Sequence, residues 1–110
     1  MNTITRDELI TRLERREPTQ LVMALGKWAY EQVRIPGSLL LGDVRQASET
    51  LSREREIIIY CANEACPASY RAYYHLKSLG YTQIKRFAGG LEAWVEAGLP
   101  VEGRLSAAAS

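Results

Sequence analysis

Residues 57–68 read Ile57-Ile58-Ile59-Tyr60-Cys61-Ala62-Asn63-Glu64-Ala65-Cys66-Pro67-Ala68. The first four side chains are β-branched or aromatic, and this composition predicts a strand. The small and polar residues from Cys61 to Ala68 predict a loop, and a helical pattern begins at about Pro67. A strand, a loop and a helix therefore follow one another, with a cysteine where the strand ends.

The segments on either side also alternate between strand and helix patterns. Thr5-Arg6-Asp7-Glu8 has the form of a capping box, which predicts the start of a helix. The predicted strands are Leu21–Leu25, Ser38–Leu41, Ile57–Tyr60 and Gln83–Phe87. The predicted helices are Arg6–Arg16, Lys27–Val33, one capped by Asp43 that runs through Leu51, Pro67–Leu79, and one opened by Gly89-Gly90 that ends at Gly98.

This alternation predicts βαβ units, and hence an α/β fold with a mainly parallel sheet and helices on both faces. In such sheets, ligands bind at the carboxyl ends of the strands. Cys61 follows the strand with the strongest central character, so it is the first candidate for a functional residue.

Composition narrows the class of protein. The chain has 110 residues, of which 46% are hydrophobic and 25% charged, with a formal net charge of +1. These values predict one domain, residues 1–103, followed by a disordered tail at 104–110. The interspersed charges argue against a nucleic-acid or membrane partner. Two cysteines and one histidine cannot complete a structural zinc site, so we expect no metal, no cofactor and a cytoplasmic location.

Cys61 can act as a nucleophile or can be an inert buried thiol, and the pattern alone leaves both open. A thiol between a strand end and a helix start lies among unpaired backbone N–H groups. Those groups and the helix dipole are expected to lower the pKa of Cys61 well below about 8.5. A curled loop of N–H groups can also bind an anion.

Several motifs resemble the second half of a rhodanese domain. In chain order they are Arg34-Ile35-Pro36-Gly37-Ser38, Tyr60-Cys61, Leu79-Gly80-Tyr81, Phe87-Ala88-Gly89-Gly90-Leu91-Glu92-Ala93-Trp94 and Ala97-Gly98-Leu99-Pro100. The resemblance implies a rhodanese-like five-stranded sheet and a sulfurtransferase activity. Cys61 would carry sulfane sulfur as a persulfide, taken from thiosulfate or another persulfide donor and passed to a thiol or cyanide acceptor. A protein acceptor is a further alternative.

The resemblance also implies a substrate-binding loop of backbone amides, formed by Ala62, Asn63, Glu64, Ala65, Cys66, Pro67 and Ala68. This loop departs from the family pattern in three ways. Cys66 stands where rhodaneses that use thiosulfate have an arginine, the loop is about two residues longer, and Glu64 adds a negative charge. The same fold hosts phosphatases with longer loops, but those depend on a loop arginine that this chain lacks.

Two residues near the loop keep alternative roles. Cys66 is either a second redox cysteine or a small residue at the helix N-cap before Pro67. Arg71 either leans toward the loop to bind an anion or is a surface charge. The missing loop arginine favours a second function, a non-catalytic rhodanese-like module that binds a partner or senses redox state through Cys61 and Cys66. The cysteine at the strand end favours the sulfurtransferase.

Overall fold

The computed structural model of the chain describes residues 1–16, 18–42 and 47–104. Within these ranges the chain forms five strands and five helices. The strands are β1 Thr3–Ile4, β2 Thr19–Met23, β3 Leu39–Leu40, β4 Glu56–Tyr60 and β5 Ile84–Phe87. The helices are α1 Arg6–Glu14, α2 Lys27–Gln32, α3 Ala47–Thr50, α4 Pro67–Ser78 and α5 Gly90–Glu96.

The five strands form a single parallel sheet in the order β1-β5-β4-β2-β3. β4 lies at its centre, paired along its length with β2 and on its other side with β5. The predicted α/β fold, with a parallel five-stranded sheet, is confirmed. Because every pairing is parallel, the carboxyl ends of β2, β4 and β5 meet at one edge, and Cys61 lies there.

The two faces of the sheet bury separate apolar clusters, which explains why β4 is apolar throughout. Ile57 and Ile59 pack with Ala72, Tyr73 and Leu76 of α4 on one face. Ile58 and Tyr60 pack with Leu9 of α1 and Trp94 of α5 on the opposite face. Since successive side chains of a strand alternate between faces, Cys61 continues the face that carries Ile57 and Ile59.

Two strands differ from the prediction. β1 was not predicted, because it is only two residues long; pairing with β5 defines it, Ile4 lying opposite Phe87. β2 begins and ends two residues earlier than predicted, since Thr19 and Gln20 pair with the start of β4. The capping box at Thr5 and Glu8 is present as predicted, and the other described elements lie within a few residues of their predicted bounds.

Two predictions fall at the ends of the described ranges. The predicted helix start at Asp43 lies outside the described residues, and α3 forms the described part of that helix. Residues 105–110 of the predicted tail also lie outside them. Of the described helices, none combines the length and the apolar character needed to cross a membrane.

Candidate functional site

Cys61 lies directly after β4, with its side chain under the loop and only 1% of its surface exposed. Its Sγ is 3.1 Å from the hydroxyl oxygen of Ser69 and 3.5 Å from the carbonyl oxygen of Cys66, as hydrogen-bond donor to both. Ser69 belongs to the first turn of α4 and is equally buried. The loop and the start of α4 therefore close over the sulfur.

Arg86 connects this site to the neighbouring strand. Its Nε donates to the Ser69 hydroxyl oxygen at 2.9 Å, and its Nη2 donates to the carbonyl oxygen of Glu64 at 3.0 Å. A Ser69 hydroxyl that accepts from the guanidinium can donate its own proton to an anionic sulfur on Cys61. The charge of Arg86 is thus linked to Cys61 through one side chain.

Neither Arg86 nor Ser69 is among the site residues predicted from the sequence. A signal was present, because strand alternation places Arg86 on the same face of β5 as the buried Ile84. A charged side chain on a buried face needs a partner. Its partner could not be identified from sequence, because Ser69 reaches it only once α4 packs beside β5.

The structure places Cys66 at the predicted N-cap position, and its role as a second redox cysteine stays a prediction. Cys66 is the N-cap residue of α4 with Pro67 at the first helical position, and its side chain makes no capping hydrogen bond. The Cys66 thiol interacts instead with the Cys61 thiol, from which it accepts a hydrogen bond. Both cysteines are free thiols, and Cys66 is the more exposed of the two.

The expected low pKa of Cys61 is wrong. Burial raises the pKa of the Cys61 thiol above its ordinary value, and donation to Cys66 raises it further, although Ser69 acts in the opposite direction. Burial also acts to raise the pKa of Cys66, but the hydrogen bonds that it accepts and the charge of Arg86 outweigh burial and lower it. The more acidic thiol of the pair is therefore Cys66.

The backbone of the loop is partly committed to its own turn. The N–H of Ala65 donates to the side-chain oxygen of Asn63, and the N–H of Cys66 donates to the Asn63 carbonyl. Pro67 has no N–H to offer. The implied cradle from Ala62 to Ala68 is therefore smaller than seven amides.

The start of α5 forms hydrogen bonds to the backbone at the beginning of the loop. The N–H groups of Leu91 and Glu92 each donate at 2.8 Å, to the carbonyl oxygens of Cys61 and Ala62 respectively. Gly90 allows this contact: its φ is +62°, and a Cβ there would lie 2.5 Å from the carbonyl oxygen of Cys61. The role of this glycine is therefore in backbone geometry.

The charged residues that were considered for the loop lie at its surface. Arg71 is exposed on α4, so the basic side chain that contacts the loop is Arg86 rather than Arg71. Glu64 is also exposed and contributes its carbonyl oxygen, rather than its carboxylate, to the contact with Arg86.

The described surface has a groove of about 490 Å³ between α1, α5 and the turn at Pro36. Its lining includes Leu13, Trp94 and Leu99 and no residue of the cysteine loop. The thiol pair, rather than this groove, is the candidate site, because reactive groups converge only at the loop among the features described above.

Comparison with known proteins agrees with this fold. The family model of the rhodanese-like domain matches residues 5–97. The chain belongs to the rhodanese-like domain family. A sulfurtransferase from Allochromatium vinosum is 30% identical over 105 residues, covering 92% of this chain and 94% of that protein. An HTH-type transcriptional regulator from Mycobacterium tuberculosis is 31% identical over 103 residues, covering 92% of this rhodanese-like chain but 45% of the regulator.

Solved structures are similar over nearly the whole rhodanese-like chain. The rhodanese-like domain of an Anabaena protein has a TM-score of 0.85 at 27% identity, covering 96% of this chain and 81% of that one. A Bacillus halodurans protein also has a TM-score of 0.85, at 25% identity, covering 93% and 77%. The family is therefore of the sulfurtransferase type, and the fold of this member is typical of it.

Proposed function

We propose that this rhodanese-like domain is a sulfurtransferase that carries sulfane sulfur as a persulfide on Cys61. The observation that carries the proposal is the chain of contacts from Arg86 through Ser69 to the Cys61 sulfur. Cys61 attacks the donor as a thiolate and becomes a thiolate again when its persulfide gives up the outer sulfur, so the reaction needs a hydrogen-bond donor at the Cys61 sulfur. A Ser69 hydroxyl polarised by a buried guanidinium provides that donor.

The proposed reaction displaces a thiolate from the donor. The Cys61 thiolate attacks the outer sulfur of a persulfide donor, the sulfur–sulfur bond of the donor breaks, and the donor leaves as a thiolate. The Cys61 persulfide then gives that outer sulfur to a thiol or cyanide acceptor, which regenerates the Cys61 thiolate. No cofactor is needed, and free cysteines are compatible with a reducing, cytoplasmic location.

The loop favours a persulfide or polysulfide over thiosulfate as donor. Thiosulfate brings a second negative charge, and the exposed carboxylate of Glu64 repels it. Arg86 is 8% exposed and is already bonded to Ser69 and to the loop backbone, so it supports the reacting sulfur rather than an incoming sulfonate. The proposed acceptors include a protein thiol as well as small thiols and cyanide.

One observation favours the alternative, a module that senses redox state without transferring sulfur. Cys61 is almost fully buried, and burial raises its pKa, so the thiol is neutral and covered in this conformation. Under this alternative, a persulfide donor would leave no sulfur on the protein, whereas an oxidant would still join the two cysteines.

Mass spectrometry of the intact protein distinguishes the two functions. After treatment with a low-molecular-weight persulfide, we expect Cys66→Ser to gain one sulfur atom and Cys61→Ser to gain none. Ala65→Ser, at an exposed neighbouring loop position, controls for disturbance of the loop. If Cys61→Ser gains sulfur and Cys66→Ser does not, the nucleophile is Cys66 rather than Cys61. If neither variant gains sulfur, the domain is the redox-sensing module and not a sulfurtransferase.

A further inference from the structure

We propose that Cys66 is a resolving cysteine, whose thiolate attacks the Cys61 persulfide, forms an internal disulfide and releases hydrogen sulfide. The inference rests on the proposed function, because it requires sulfur on Cys61. It adds a second outcome to sulfur transfer: when no acceptor is present, the domain discharges its own sulfur and becomes oxidised.

The contact between the two cysteines carries this inference. Cys66 is the N-cap residue of α4, but its side chain makes no capping hydrogen bond. The two thiols interact with each other instead, with Cys61 as the donor.

The side chain of Cys61 also contacts the backbone of Cys66. The Cys61 sulfur lies 3.5 Å from the Cys66 carbonyl oxygen, and the Cys66 N–H closes a turn onto the Asn63 carbonyl at 3.2 Å. This turn folds the four residues between the cysteines into a compact loop. The two cysteines therefore belong to one loop, and their sulfurs can meet by movement within that loop, without a rearrangement of the sheet.

The environment makes Cys66 the attacking thiol of the pair. Burial acts to raise the pKa of Cys66, but the hydrogen bond from Cys61 and the charge of Arg86 lower it, whereas burial raises the pKa of Cys61 despite the opposing effect of Ser69. Thiol–disulfide exchange proceeds through the thiolate. Cys66 is also the more exposed residue of the pair.

The atoms and electrons of the step balance without an outside oxidant. The Cys66 thiolate attacks Sγ of Cys61, a bond forms between the two Sγ atoms, and the bond from Cys61 Sγ to the outer sulfur breaks. The outer sulfur leaves as HS⁻ with the electron pair and the persulfide proton. Sulfane sulfur is reduced to sulfide while two cysteines are oxidised to a disulfide, which two equivalents of a small thiol reduce again.

The test loads the wild-type protein once with a low-molecular-weight persulfide and removes the excess donor. The mass of the intact protein and the amount of sulfide released are then measured. We expect about one equivalent of sulfide per chain and a product that has lost two hydrogen atoms and retains no added sulfur. Cys66→Ser and Cys66→Ala are expected to retain the added sulfur and to release no sulfide until a thiol is supplied.

The outcomes separate this inference from the proposed function. Wild-type protein that keeps its added sulfur, with no disulfide and no sulfide, would overturn the resolving role while the sulfurtransferase stands. Failure of wild type, Cys66→Ser and Cys66→Ala alike to take up or discharge any sulfur would overturn the function itself. Because the decisive measurement is made on wild type, loss of folding in a variant does not affect it.

Discussion

The guanidinium of Arg86 bonds the hydroxyl of Ser69, which in turn bonds the sulfur of Cys61. Arg86 lies within β5, and its planar guanidinium donates to Ser69 through one nitrogen and to the loop backbone through another. A lysine at this position would provide a single ammonium group and could not donate in this two-pronged, planar geometry. The residue therefore has two effects: it fixes the loop over the site and it supplies the electrostatic support for anionic sulfur.

We expect Arg86→Met to slow sulfur loading about tenfold or more, because a hydrogen bond from a charged donor contributes about 1.5–3 kcal/mol. It should also raise the pH at which the loop thiols react with iodoacetamide, since the Arg86 charge lowers the pKa of Cys66. Loading rates and alkylation–pH profiles measure both effects, and Arg86→Lys should restore them in part.

Arg71→Met is the matched control, because Arg71 is an exposed arginine on α4. It should leave the loading rate and the alkylation profile at their wild-type values. An alkylation profile in Arg86→Met that coincides with that of Arg71→Met would contradict the role given to Arg86, whatever happens to thermal stability.

Three secondary-structure elements meet at the candidate site: β4 ends there, and α4 and α5 begin there. α4 supplies Ser69 in its first turn, and α5 supplies two N–H groups to the carbonyls at the base of the loop. The contact with α5 depends on the close approach of the Gly90 backbone to that of Cys61. The loop is therefore held in place by both α4 and α5.

Gly90→Ala should destabilise the fold and misplace the loop. A left-handed conformation costs an alanine about 1–2 kcal/mol, and overpacking adds about 1–3 kcal/mol, since the new Cβ would meet backbone at 2.5 Å. Gly98→Ala is the matched control: its φ is +71°, but a Cβ there meets nothing within 4 Å. Chemical denaturation should show the larger loss for Gly90→Ala, and equal losses would mean that the approach to Cys61 is not constraining.

The elements show which parts of the fold the sequence could predict. β4 and α4 were predicted nearly to the residue, because burial on both faces and an apolar stripe leave strong local patterns. β1 left no such pattern, since pairing with β5 rather than local propensity defines it. The nucleophile candidate, Cys61, could be predicted from the end of β4. The contacts of Arg86 with Ser69 and of Cys66 with Cys61 could not, because they depend on how separate elements pack.

Across the whole molecule, a second charged cluster lies away from the thiol site, at the opposite end of β4. Glu56, the first residue of that strand, bonds Arg12 of α1 at 2.8 Å and Lys85 of β5 at 3.2 Å. Burial acts to raise the pKa of Glu56, but these two ion pairs outweigh it and lower the pKa. The cluster therefore joins a helix to two neighbouring strands, at a distance from the chemistry of the loop.

This lowered pKa gives a stability prediction with a definite sign. The folded protein binds the Glu56 proton less tightly than the unfolded chain does, so the ion pairs stabilise the fold above the unfolded pKa, and this stabilisation is lost as the pH falls through the folded pKa. We expect Glu56→Gln to cost about 1 kcal/mol at neutral pH and to approach wild type in acid. Thermal unfolding from neutral to acidic pH measures the difference, with the exposed Glu54→Gln as control. A deficit of Glu56→Gln that stays constant across this range would show that packing, and not charge, is what Glu56 contributes.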